Sequence, residues 1–132
     1  MTGRGTRGSR NGDRSLAVAR RLHGDNSIQV AQRYASLGYF YARLGRADEA
    51  LGWFDPAASL HRSLLGDEHA ATKGVVEYHA TLMLQQAELA LKRKDRQLAK
   101  HLLHAAYDMA APVLGFTHET TRRVRDARDS IR

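Results

Sequence analysis

Residues 34–57 read Tyr34-Ala35-Ser36-Leu37-Gly38-Tyr39-Phe40-Tyr41-Ala42-Arg43-Leu44-Gly45-Arg46-Ala47-Asp48-Glu49-Ala50-Leu51-Gly52-Trp53-Phe54-Asp55-Pro56-Ala57. Within this stretch Tyr34, Leu37, Gly38 and Tyr41 share one face of a helix, and Ala50, Phe54 and Ala57 share one face of a second. The small residues allow the two helices to approach closely, the large ones fill the gap between them, and Gly45 stands where the chain leaves the first. The pattern predicts an antiparallel helix pair. Such a pair cannot bury its apolar face alone, so it also predicts neighbours.

A second copy lies at a fixed offset. Ala50, Phe54, Ala57, Leu60 and Leu64 recur 49 residues on as Ala99, Leu103, Ala106, Met109 and Val113, and Leu65, Gly66 and His69 recur as Leu114, Gly115 and His118. Upstream, Val18, Leu22 and Gly24 precede Leu60, Leu64 and Gly66 by 42 residues, which places Ser15 to His23 in the second helix of an earlier unit. From Ser15 to Thr121 the chain resembles the tetratricopeptide repeat superfamily, with Tyr34 where the signature usually has Trp. The connectors Leu65-Gly66-Asp67-Glu68-His69-Ala70 and Leu114-Gly115-Phe116-Thr117-His118-Glu119 resemble the Leu-Gly-x-x-His-Pro link of the kinesin-light-chain type, without its Pro. The resemblance implies an all-α, right-handed solenoid of stacked antiparallel helix hairpins.

Glycine followed by a polar residue punctuates the chain at Gly24, Gly66 and Gly115, with Asp25, Asn26 or Ser27, then Asp67, then Thr117 as expected helix caps. Helices are expected over Ser15 to His23 and near 27–44, 47–65, 69–94, 96–114 and 117–131. Residues 1–14, rich in Gly and Arg, read as a disordered basic tail ahead of a helical domain over 15–132, with about two full units and a half unit at each end. The second full unit is longer by seven residues, 49 against 42, and the extra length falls in its first helix, an expected overhang of about 10 Å. Gln86 stands there at a core-facing place and needs a partner or a rotated helix. Pro56 is expected to kink its helix, with Gly52 relieving the crowding and Trp53 and Phe54 anchoring the bend. The last helix, with Arg125 and Arg128 at core places, reads as a solvating end cap.

The chain has 132 residues, 42% of them hydrophobic and 27% charged, two prolines and no cysteine. That composition suits a folded helical domain and removes disulfides, thiol nucleophiles and thiolate metal sites. No run reaches the ~18 apolar residues of a membrane span, and no apolar stretch follows the N-terminal arginines, so a cytoplasmic location and no membrane partner are expected. The net charge is +7, of which residues 1–14 and 92–96 carry +3 each and 117–132 carry +2, while the centre is close to neutral.

Chemistry-bearing patterns are sparse. His101 and His104 share a helical face but lack a third ligand in any recognised motif, and His69 and His118 sit in the connectors, where bonding the turn backbone is the expected role. Asp48-Glu49 and Asp67-Glu68 lie at expected helix starts, where carboxylates favour the dipole. No phosphate-binding, nucleophile-elbow or zinc-protease motif occurs. No catalytic residue, metal or cofactor is assigned, and an enzyme is not expected.

The resemblance implies instead that first helices line a concave groove that takes a peptide or partner helix. Carried onto this chain, the lining is Gln32, Ala35, Tyr39, Ala42 and Arg43 in the first unit and Thr81, Leu84, Glu88, Leu91 and Lys92 in the second. Its cations at one rim favour an acidic end on the partner. Ala35 and Ser36 replace the Lys and Asn of carboxylate-clamping repeats. The expected function is a non-catalytic interaction module or adaptor. Two alternatives stand beside it: binding of nucleic acid or another polyanion through the tail, residues 92–96 and the last helix, and self-assembly into a homo-oligomer through open repeat ends.

Overall fold

The computed structural model describes residues 14–131. The described residues form helices and turns only: α1 over residues 14–23, α2 (Ile28–Arg43), α3 (Ala47–Leu65), α4 (Ala70–Lys92), α5 (Arg96–Leu114) and α6 (Glu119–Ser130). Fold class is therefore all-α, built of repeated helix hairpins. Arg14 already belongs to α1, and the rest of the expected tail lies outside the described residues. The chain divides into two compact units, Met1–Gly66 and Asp67–Arg132.

In the first unit α2 and α3 form the antiparallel pair. Gly45, at φ +77°, turns the chain between them. Gly38 lies against the ring of Phe54, which is fully buried together with Val30, Ala31, Ala50 and Ala57. Tyr34 stacks on Trp53 at 5.9 Å between ring centroids and accepts a hydrogen bond on its hydroxyl from Arg20 of α1 at 2.6 Å. One side chain thus ties three helices. Leu16 and Ala19 are the buried face of α1, and 42 residues on they correspond to Ala58 and His61, both buried in α3.

The second unit repeats the first. α5 lies 49 residues after α3 from first residue to last, and α4 has 23 residues against 16 in α2, the seven extra expected. Those added turns are not a free overhang. Thr72, Val75, Val76, His79 and Ala80 are all buried, and the imidazole of His118, which opens α6, comes within 3.6 Å of the Glu77 carboxylate. The start of α6 packs on them because Thr120, Thr121 and Val124 form its buried stripe. Arg128 lies over the Tyr107 ring at 4.2 Å, while Arg125 pairs with Asp126, so the basic outer face of α6 is solvated and its inner face is not.

Other expectations are corrected by local geometry. Asp67 and Thr117 do not cap helices. The Nδ1 atoms of His69 and His118 do, each accepting the amide of the residue two ahead, Ala71 and Thr120, at 3.0 Å. Only Ser27 serves as foreseen after Gly24, accepting from Val30 at 3.2 Å. Asp48 and Glu49 occupy the first turn of α3, but Asp67 and Glu68 lie in the connector before α4. Helix α3 continues through Pro56, and a Cβ at Gly52 would meet nothing within 4 Å, so a missing side chain there is not what accommodates the proline. Gln86 is half-exposed, and the neighbouring Ala87 and Ala90 carry the packing at 0% exposure.

Candidate functional site

The ten positions expected to face a partner form one strip on α2 and one on α4, with equal spacing. On α2, Gln32 and Arg43 are exposed and Ala42 is half-exposed. Tyr39 is half-buried, with its ring edge-on to Phe54 at 5.1 Å, so it supports the core of its own unit. On α4, Glu88 and Lys92 are exposed, and Thr81 and Leu91 are half-exposed. The Thr81 hydroxyl donates to the Glu77 carbonyl oxygen one turn back at 2.8 Å. Ala35 and Leu84, at 6% and 3% exposure, offer almost no side-chain surface. Small or aliphatic side chains at those two places are drawn into the packing, and the polar and charged members are left to meet solvent or a partner.

The histidines divide by environment. His101 and His104 are exposed on α5, His69 and His118 are helix caps, and buried His61 donates from Nδ1 to the Ala57 carbonyl at 2.7 Å. Among the described residues no group of three or more His, Cys, Asp or Glu side chains is placed to hold a metal ion. No helix among them is long and apolar enough to cross a membrane.

Two hollows were not expected from the sequence. One in the first unit, about 440 Å³, is lined by Arg20, Asp25, Asn26, Tyr34, Pro56, Ser59 and Leu60. The other, about 500 Å³, lies in the second unit between the turn that joins α4 to α5 and the end of α6, lined by Leu91, Lys94, Arg96, Ser130 and Ile131. A signal for the second was available: the corner over residues 43–49 sums to zero charge, and its copy over 92–98 to +3.

Residues 30–71 match the sequence model of the tetratricopeptide repeat family, a span that covers α2 from Val30, α3, the connector and the first residues of α4. The chain carries a tetratricopeptide repeat. The second hairpin, displaced by 49 residues, repeats the arrangement of the tetratricopeptide unit with Ala87 and Leu103 in place of Gly38 and Phe54. No curated protein matches the chain. Tetratricopeptide units are scaffolds for protein–protein interaction, and that general role is what the match assigns here.

Proposed function

We propose that the chain is a non-catalytic adaptor that holds a peptide or partner helix along the strips of α2 and α4. The observation that carries this reading is the tetratricopeptide match over residues 30–71 together with side chains on the α2 strip that are not absorbed by packing. Gln32 and Arg43 on α2, and Glu88 and Lys92 on α4, are the exposed contacts, with Ala42, Thr81 and Leu91 beside them. Tyr39, Ala35 and Leu84 set the shape of the strips from below. The span of the match, 42 residues, and the repeated Leu-Gly-x-x-His connectors support the kinesin-light-chain-like type.

The test uses peptides selected by display on the wild-type chain, rescreened against an Arg43→Glu, Glu88→Lys double variant. Both substituted side chains are solvent-exposed, so the fold is expected to hold and its melting curve to stay in place. Selected peptides should lose affinity by about tenfold or more. Undiminished binding by the folded variant rejects the assignment of these strips.

A further inference from the structure

In the second unit the turn between α4 and α5 departs from its copy in the first in two ways that the fold does not require. Gly45, at φ +77°, is replaced by Lys94 at φ +64°, a backbone conformation that glycine adopts freely and a lysine only at a steric cost. The surrounding charges change as well: Leu44 and Ala47 become Arg93 and Arg96, while acidic Asp48 and Glu49 become Gln97 and Leu98. Among the described residues no carboxylate lies within ion-pair distance of Lys92, Arg93, Lys94 or Arg96. The one acidic residue of the turn, Asp95, is engaged in accepting the Leu98 amide at the start of α5. Strain retained at a side chain that lines a hollow points to a use for that side chain.

The hollow itself has a defined shape. Helix α6 runs beside α4 in the same direction, starting near Glu77, and it ends at Ser130, whereas α4 has eleven more residues than α6. Residues 70–76 of α4 precede Glu77, so beyond Ser130 the surface of α4 continues for only about one helical turn before the turn into α5. Leu91 and Ile131 give this shelf aliphatic side chains, and Lys94 and Arg96 stand at its far end. Leu98, 38% exposed, follows in the first turn of α5.

We infer that this shelf binds a short acidic, amphipathic segment of another protein, which lies as a continuation of α6 with its apolar residues over Leu91 and Ile131 and its carboxylates on Lys94 and Arg96. Charge complementarity selects that occupant. A second copy of this chain carries +7 overall, and its N-terminal residues add arginines, so neither offers the carboxylates the corner calls for. The five lining residues include no aromatic ring on which a base could stack, which disfavours single-stranded nucleic acid. The shelf shares Leu91 with the α4 strip but excludes Arg43 and Glu88, so peptide binding lost in Lys94 and Arg96 variants yet kept in the Arg43→Glu, Glu88→Lys variant separates the two surfaces.

The test exploits the strain. Lys94→Gly removes the cation and relieves the backbone, and Arg96→Glu reverses a charge while placing a carboxylate at the first position of α5, where the helix dipole favours it. Both variants should melt at or above the wild-type temperature. The probe is a labelled synthetic peptide of about two helical turns, long enough to cover the shelf, with leucines on one face and glutamates on the other. Fluorescence anisotropy should show it binding the wild-type chain and losing about tenfold in affinity to each variant. A companion peptide with serine for every leucine should bind much more weakly, as should an oligouridine of equal charge. Absent binding of the leucine peptide, equal binding to the two variants and the wild type, equal binding of the serine peptide, or tighter binding of the RNA each overturns the inference, and the last would assign the corner to nucleic acid.

Discussion

Gly38 shows how little room the first hairpin leaves. A Cβ built there would lie 2.9 Å from two atoms of the Phe54 ring, and that ring, at 0% exposure, has no space to retreat into. Gly38→Ala is expected to destabilise the chain by about 1–3 kcal/mol, despite the better helix propensity of alanine, as read by chemical denaturation. At Gly52 and Gly74 the same substitution meets nothing within 4 Å, so Gly52→Ala and Gly74→Ala should each stabilise by up to about 1 kcal/mol. A loss at position 52 would mean that glycine is needed beside Pro56 after all. Thr121 makes the opposite point about polar atoms. Its Oγ1 is buried without a hydrogen-bond partner, so Thr121→Val, which keeps the shape and removes the hydroxyl, is expected to raise stability by about 1 kcal/mol.

The helices themselves were legible to within a residue or two, because their ends are written in glycines and their faces in apolar spacing. α3 and α5 have the bounds that the sequence predicts, since a turn glycine or its replacement precedes each and Gly66 or Gly115 follows. The caps were less legible. Asp and Thr are better known caps than His, yet the chain reaches its extended N-cap conformation only at His69 and His118, two residues past Asp67 and one past Thr117. Nδ1 then falls within reach of the second amide of the helix. His69→Ala and His118→Ala should each cost about 1 kcal/mol, and His69→Ser or His118→Asp should recover most of it, as followed by circular dichroism melts. Equal losses for the alanine and the polar replacements would show that ring packing, rather than the cap bond, is what matters at these positions.

At the scale of the molecule, each of the two units has its own packed centre, Phe54 with Val30 and Ala50 in one, Leu103 with Ala87 and Ala99 in the other. Damage to one centre should therefore appear first in that unit. In hydrogen exchange, Gly38→Ala is expected to lower protection over residues 28–65 more than over 70–130, and equal loss across both spans would mean that the units open together. The proposed partner surfaces divide along the same line. The repeat resemblance implies the strips on α2 and α4, but it does not distinguish Gln32, which is exposed, from Ala35, which is drawn under its neighbours.

The amino-acid order by itself determined the helical class, the 49-residue duplication and the seven added residues of α4, because apolar period and turn glycines act over a few residues and survive translation along the chain. Tertiary structure alone decided which members of a face are covered, that the added turns of α4 are sealed by the start of α6, and that the early end of α6 leaves a basic, aliphatic shelf. These depend on residues far apart in sequence meeting in space, and burial is a property of that meeting rather than of any local pattern.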